Sequence, residues 1–322
     1  GTLSMNNSGS HWIADGTPRD SVVRLKMVVG NGEVVQFESS ESISAGDVIP
    51  ELRAQLFAGR VKSILDRNKT LIEQHRPNTK INQAGLNLFD LTQGKQTDLT
   101  RLFVGAEGTL GLIVEATLKT ATIPQHRGVS LLFFHRLETA AKTAVEITKM
   151  GAAACDLVDR RLLSLARETN SDLHRLIPSS AEAMLLVEFR GADDRHVREK
   201  LDHLNYRIQR RKKWAFDSVS TTQPEQRNLY WRIVRRIVPT LYRLKGDQRA
   251  LPFVEDIAIA PEKLPEFLHG AHRIQNENEI TASIFSHAPQ VTVNIRPFLN
   301  LSSTEDVNRM QRHANHLFDF VL

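Results

Sequence analysis

Three glycines surround one carboxylate and one hydroxyl in the run Gly105-Ala-Glu107-Gly108-Thr109-Leu-Gly111-Leu-Ile113. Glycine permits φ > 0 and lets a flat ligand approach main-chain N–H groups that a Cβ would screen. A triphosphate-binding loop needs a Lys-Ser/Thr pair and a following helix. Here Leu112 to Thr120 instead alternates apolar and polar residues with β-branched members, the pattern of a strand, which argues against a nucleotide triphosphate site. The bland alternative is a glycine-rich hairpin. The opening segment Gly1-Thr-Leu-Ser-Met-Asn6-Asn7-Ser-Gly9-Ser10, with Gly16 soon after, supplies small residues and paired amides ahead of another strand. Its own alternative is an Asn/Gly/Ser surface loop.

A second set of chemistry-bearing residues lies toward the other end. The planar guanidinium groups of Arg249 and Arg296 can each hold a carboxylate through two parallel hydrogen bonds, or serve as ordinary ion-pair partners. Glu255 and Asp256 fall on a predicted strand, where either could position a cation or a base. Adjacent strand residues face opposite ways, so at most one of them points into a site. In His287-Ala-Pro289-Gln-Val291-Thr-Val-Asn294 one imidazole and one amide lie seven apart. Two imidazoles at that spacing with a carboxylate could bind zinc; an imidazole with an amide is a poor pair, so no metal is predicted and His287 reads equally as a hydrogen-bonded histidine at a strand end.

These residues need elements to carry them. Ser21 to Val29 and Glu33 to Phe37 are β-rich runs joined by Gly30-Asn31-Gly32, and Asn-Gly is a strong hairpin signal. From Pro50 to His75, Leu52, Leu56, Val61, Ile64, Leu65, Leu71 and Ile72 recur at helical spacing, and Arg76-Pro77 ends the run. Ile123-Pro124 followed by Gln125 to Gly128 reads as a domain junction. After it come strand Val129 to Phe134, helix Leu137 to Met150, strand Ala153 to Val158, strand Met184 to Phe189 and helix His196 to Arg210. A helix over Glu225 to Leu244, strand Ala250 to Ile259, helix Pro261 to Ile274, strands Ile280 to Phe285 and Gln290 to Ile295, and helix Ser303 to Phe318 complete the series. This is an α+β pattern, expected to give an antiparallel sheet with helices on one face.

Composition narrows the partners. With 322 residues, 41% hydrophobic and 25% charged, the chain has room for two domains and a sizeable core. Apolar runs such as Val129 to Phe134 and Met184 to Phe189 are far shorter than the roughly 18 residues of a membrane span, so no transmembrane segment is predicted. Cys155 is the single cysteine. It allows no intrachain disulfide and no cysteine-ligated cluster, and a reducing compartment, the cytoplasm, is the expectation; within the apolar run Gly151 to Val158 it reads as a packing residue. Formal charge is +5, concentrated at Arg207-Ile-Gln-Arg210-Arg211-Lys212-Lys213. Without aromatic interleaving, zinc spacing or a recognition helix, this cluster reads as a solvated helix end rather than a nucleic-acid surface.

The spacing Gly-x-Glu-Gly-Thr-Leu-Gly-x-Ile resembles the flavin-contacting signature of the FAD-linked oxidases, which include glycolate, D-lactate and D-2-hydroxyglutarate dehydrogenases. The small-residue opening, the strand pair at Ser21 to Phe37, Asn82-Gln-Ala-Gly-Leu-Asn87, the glycine run, Arg249 to Ile259 and His287 to Pro297 occur in the order found in that family. The resemblance implies the second lobe of a PCMH-type FAD-binding domain over 1–124, followed by a ferredoxin-like antiparallel-sheet substrate domain over 125–322.

It further implies FAD as cofactor, contacted by Asn6, Asn7, Gly9, Ser10, Gly16, Gly105, Glu107, Gly108, Thr109, Gly111 and Ile113, whose donors would meet ring nitrogens and oxygens. Arg249, Glu255, His287 and Arg296 would face a small anionic 2-hydroxy acid, oxidised by hydride transfer to the flavin. Two family segments are not in this sequence: a glycine-rich diphosphate loop, expected before Gly1, and a Glu-His-Gly segment, expected after Leu322, whose histidine would take the hydroxyl proton. The chain therefore reads as the middle of a longer FAD and iron–sulfur oxidoreductase, the iron–sulfur region being a candidate electron acceptor. Where the family has His-Ala-Gly-x-Gly-x-x-His, Asn294 replaces the second histidine. A non-catalytic remnant or interaction domain on the same scaffold is the rival reading.

Overall fold

A computed structural model describes residues 1–7, 9–39, 52–77, 79, 85–93, 96–288 and 292–322. The chain divides into two compact units, Gly1–Ile123 and Pro124–Leu322.

In the first unit, short helices α1 (Trp12–Asp15) and α2 (Pro18–Ser21) lead into strands β1 (Val22–Val29) and β2 (Val34–Glu38). Thr17 and Asp20 form a reciprocal cap at the start of α2. The hairpin closes through Val29 N–H to Glu33 O at 2.9 Å, and Gly32 at φ +83° ends a three-residue loop, the geometry that suits the strand twist. Helices α3 (Leu52–Arg67) and α4 (Lys69–Gln74), the small hairpin β3 (Thr92–Gln93) and β4 (Gln96–Thr97), and helix α5 (Thr100–Phe103) follow. Strand β5 (Gly111–Leu118) then pairs antiparallel with the free edge of β1, giving the order β2-β1-β5. Leu25, Met27, Val35 and Phe37 of this sheet pack with Leu99, Leu102, Phe103 and Val104 on one face, while Leu112 and Val114 on the other are exposed.

In the second unit, β6 (His126–Phe134), α6 (Leu137–Thr148), β7 (Ala154–Asp159), α7 (Arg160–Thr169), α8 (Ser171–Leu176), β8 (Ala183–Gly191), α9 (Asp194–Asn205) and β9 (Asp217–Thr221) form two interleaved split β-α-β units. Strand β8 lies between the parallel β6 and β7, and β6 lies between the parallel β8 and β9. After α10 (Pro224–Leu241), strands β10 (Arg249–Ala250) and β11 (Val254–Ala258), helix α11 (Leu264–Glu277), strands β12 (Ala282–His287) and β13 (Thr292–Leu299), and helix α12 (Thr304–Val321) extend the sheet. Strand β12 pairs with β7 and with β13, and β10 and β11 pair in turn with β13.

Helices cover both faces of this sheet, not one. Val129, Leu131 and Phe133 of β6 join a core with α7, α8 and α10, whereas Leu132 and Phe134 join a second core with α6, α9, α11 and α12. A strand buried on both faces must be apolar at successive positions rather than alternate ones, and this is why Val129 to Phe134 reads as an almost unbroken apolar run. Two further expectations change, and a third, for Cys155, holds. His126 to Gly128 begin β6 rather than a linker. The basic segment from Arg207 continues α9 as one turn of π-helix, Tyr206–Arg211, with Arg207 and Lys212 on Glu146. Cys155 is fully buried and burial raises its thiol pKa well above the usual range, as a packing residue requires.

Candidate functional site

The two small-residue segments of the first unit meet. Gly105 N–H donates to Leu3 O at 3.0 Å and Glu107 N–H to Ser4 O at 2.8 Å. Arg19 clamps the junction from beneath: its backbone N–H donates to Asn6 Oδ1 at 3.0 Å, and its guanidinium donates twice to Val104 O, at 3.2 and 2.8 Å. Burial, with the nearby Arg101 charge, lowers the Arg19 pKa. Nothing in the sequence pattern singled out Arg19; its place between Gly16 and the capping Asp20 is visible only once the fold brings Val104 to it.

Each glycine has a distinct reason. A Cβ on Gly105, at φ +90°, would lie 2.7 Å from an Arg19 nitrogen and 3.2 Å from Asn6 Cβ. On Gly111 it would lie 2.6 Å from the backbone oxygen of Val28, so glycine is what lets β5 close on β1. Glu107 at φ +52° and Gly108 at φ +80° are the central residues of a turn closed by Thr109 N–H to Ala106 O at 2.9 Å. Two successive positive φ values are a type I′ feature that a glutamate adopts only at a cost, and such strain gathers at functional sites. Glu107, Gly108 and Thr109 are exposed, as are Asn7 and Gly9.

Several cofactor residues inferred from sequence have structural duties of their own. The Asn6 side chain is buried on Arg19. Gly16, at φ +75°, ends α1 with its N–H on Trp12 O. Ile113 packs against the core of the first unit. The Thr109 hydroxyl donates to Ala106 O at 2.6 Å. The N–H groups of Gly105, Glu107 and Thr109 are committed to protein carbonyls, so the run supplies shape more than free donors. Ser10 is half-buried. Ser8 and residues 82–84 of the segment Asn82 to Asn87 lie outside the described residues.

In the second unit, register places Asp156, His287, Thr292, Asn294 and Arg296 on one face of the sheet. His287 Nδ1 is 2.7 Å from Oδ1 of the fully buried Asp156. Burial alone would lower the His287 pKa; Asp156, helped by Asp256, outweighs it and raises the value. The Asn294 Oδ1 accepts the Asp256 N–H at 3.0 Å. Asp256, at φ +53°, sits in a register shift between Val254 and Ile257, so the strict alternation expected for Glu255 and Asp256 is broken there. Pro289 and Val291 lie outside the described residues.

The two guanidinium groups chosen from sequence are engaged internally. Arg296 donates to Glu255 at 3.0 Å and to the Tyr242 hydroxyl at 3.1 Å. Arg249 is exposed, donates to Leu244 O at 2.9 Å and pairs with Leu299, three positions beyond Arg296 on β13. By contrast Arg232, Arg235, Arg236 and Arg243 line a cavity of about 420 Å³ with Thr240 and no acidic residue. Among the described residues none of the four forms an ion pair, and Arg235 lies over the Trp231 ring at 5.4 Å. The sequence signal was present: positions 232, 235, 236, 240 and 243 follow helical spacing with no acid interleaved. Unanswered charges converging on one cavity suit an anion.

The family model "FAD linked oxidases, C-terminal domain" matches residues 123–322. D-2-hydroxyglutarate dehydrogenase of Haemophilus influenzae is 22% identical over 339 residues, covering 100% of this chain and 33% of its own length. Glycolate oxidase subunit GlcD of Bacillus subtilis is 27% identical, covering 99% of this chain and 56% of its own. The chain thus spans about a third of the D-2-hydroxyglutarate dehydrogenases it matches. Among solved structures, p-cresol methylhydroxylase with substrate bound superposes with a TM-score of 0.62 at 10% identity, covering 99% of this chain and 58% of that one, and alkyldihydroxyacetonephosphate synthase with 0.57 at 15%, covering 99% and 52%. These likenesses establish the α+β fold with antiparallel sheets.

Proposed function

The chain belongs to the FAD linked oxidases, and from that premise we propose that the protein carrying it is a FAD-dependent oxidoreductase acting on a small 2-hydroxy acid. The observation that carries this reading is the junction of Leu3 and Ser4 with Gly105 and Glu107, where two segments a hundred positions apart build one exposed ledge. A Cβ at Gly9 or Gly108 would meet no atom within 4 Å, so at these exposed positions only the missing side chain leaves the backbone open to a ligand. The ledge fits the face of a fused ring, with Asn7, Gly9, Glu107, Gly108 and Thr109 as the residues that would hold it; on this reading the first unit is the second lobe of a PCMH-type domain. FAD, when bound, supplies the two-electron acceptor.

The protein's own groups have separable duties. Arg232, Arg235 and Arg236 of α10, with Arg243 just beyond it, would hold the substrate's carboxylate charge by paired hydrogen bonds. Four guanidinium groups exceed what one carboxylate engages, which favours a dicarboxylic hydroxy acid over lactate or glycolate. His287, its Nδ1 fixed on Asp156, presents Nε2 as the atom able to hold or pass a proton. Arg296, Glu255 and Tyr242 brace the strands that carry these groups.

The rival reading, a scaffold that has lost its chemistry, is favoured by one observation: Arg296 and Asn294 are occupied within the protein. Anaerobic addition of D-2-hydroxyglutarate, D-lactate or glycolate to the flavin-loaded full-length protein separates the two. The proposal expects bleaching of the flavin absorbance, fastest with the dicarboxylate, and a KM raised tenfold or more by Arg235→Met/Arg236→Met. Colourless protein that added FAD does not reconstitute supports the rival.

A further inference from the structure

Helix α3 carries apolar side chains on two faces, and the fold of the first unit uses one. Ala54, Phe57, Ala58, Val61 and Leu65 pack on the core of that unit. Leu52, Leu56 and Ile64 are each more than half exposed, as is Leu71 on α4. A helix laid on a sheet needs one apolar stripe, and its outer side is ordinarily polar. Single exposed leucines need no explanation, but these are not scattered. Positions 52, 56, 60 and 64 form one i, i+4 row, a ridge along the helix surface, whose polar member is Arg60.

The charges around this ridge leave one sign over. From Leu52 to Gln74 five basic residues stand against two acidic ones. Asp66 is answered by Lys62 at 3.1 Å and Glu73 by Arg76 at 3.1 Å, while Asp90 also meets Arg76 and Glu33 meets Arg53 at 3.4 Å. Arg60 and Arg67 are exposed and form no ion pair among the described residues; Arg67 Nε donates to Ser63 O of its own helix. Lys69 feels the Glu73 charge one turn on without pairing with it. Unpaired cations therefore sit within and beside an exposed apolar ridge, on a helix whose other face is fixed to the core.

Three kinds of surface could cover such a ridge, and its chemistry selects one. A nucleic acid asks for aromatic platforms, and the aromatic residue of α3, Phe57, is turned inward with its ring edge-to-face on Phe37. A second protein surface would bury Arg60 in the middle of the row and would need an acid placed to meet it. At a bilayer interface Arg60 lays its alkyl stem beside the leucines while its head reaches the lipid phosphates, so the row needs no matched partner. No helix among the described residues is long and apolar enough to cross a membrane, so the contact is peripheral.

We propose that the outer face of α3 and α4 docks the protein on an anionic lipid bilayer, with Leu52, Leu56 and Ile64 entering the interface and Arg60, Arg67 and Lys69 meeting lipid phosphates. This docking requires neither FAD nor substrate. The test is co-sedimentation of the full-length protein with vesicles of phosphatidylglycerol and phosphatidylcholine, and with vesicles of phosphatidylcholine alone. Binding is expected to the anionic vesicles, about tenfold or more weaker to the neutral ones, and falling as salt shortens the Debye length. Leu56→Ser/Ile64→Ser and Arg60→Gln/Arg67→Gln should each weaken it about tenfold without lowering the melting temperature, because all four side chains are exposed. An environment-sensitive dye attached at Leu56→Cys should shift to the blue on binding, and the buried Cys155 does not compete for it. No sedimentation with anionic vesicles, equal binding to neutral ones, or undiminished binding of Leu56→Ser/Ile64→Ser overturns the proposal. Dimers in place of vesicle binding, abolished by the same double substitution, would assign the face to a second copy and overturn it as well.

Discussion

In the first unit the glycine run commits its main-chain donors to Leu3, Ser4 and Ala106, whereas in the second Arg232, Arg235, Arg236 and Arg243 form no ion pair among the described residues. One region is built by satisfying groups and the other by leaving them unsatisfied. A motif rich in potential donors is therefore not itself a binding site: its glycines set a shape, and the capacity to attract a charged ligand resides where the fold supplies no counter-charge.

Substitutions can break this contrast, beginning within the glycine run. Gly111→Ala forces a Cβ onto the Val28 carbonyl and should cost about 4 kcal/mol of stability in urea unfolding, whereas Gly108→Ala meets only its positive φ, about 1 kcal/mol. Equal losses would mean that the run is an undifferentiated turn.

Histidines sharpen the same distinction between partnered and unpartnered groups. His287 leans on Asp156 and its pKa is raised; His313 is fully buried, neither ring nitrogen has a partner among the described residues, and burial together with His316 lowers its pKa to about 4. The signs are opposite. Stability from His287 is fully present below its unfolded value and is lost as pH rises through its raised folded value. Stability linked to His313 is present above about 6.5 and is lost as pH falls toward 4, by up to about 3 kcal/mol. Unfolding measured across that range should flatten in His313→Leu; an unchanged slope would show that His313 accepts a proton in the native state.

Arginines give the smaller stability effect. Arg296→Met strands a Glu255 whose side chain is 33% exposed, and should cost about 2 kcal/mol, against less than about 0.5 for Arg235→Met. The reverse order in thermal unfolding would remove the distinction between bracing and binding arginines.

Legibility in the sequence followed the same divide. Local signals placed most elements within a few residues: Gly30 to Gly32 marked a hairpin, and Leu52 to Ile72 marked α3 and α4, because turns and amphipathic helices are encoded by neighbours. The unbroken apolar run Val129 to Phe134 is itself the signature of a strand covered on both faces, whereas alternation describes a strand covered on one. Strand β9 and helices α7 and α8 were missed; Asp217 to Thr221 is mostly polar, and its strand character comes from pairing with β6. Site residues were the least legible. Whether a guanidinium is free depends on what lies across a strand, as with Glu255 and Arg296, and nothing local reports Tyr242 reaching the same group. Arg19 and Asp156 escaped for that reason as well.

The central claim is that the ledge at Gly108 and Gly9 seats the ring of FAD, and FAD affinity tests it most directly. Titrating the full-length protein with FAD, followed by flavin fluorescence, should give saturable binding that Gly108→Ala weakens at least tenfold, about 1.4 kcal/mol or more, while the fold persists. Binding of equal strength in Gly108→Ala, or none in the unaltered protein, would contradict it.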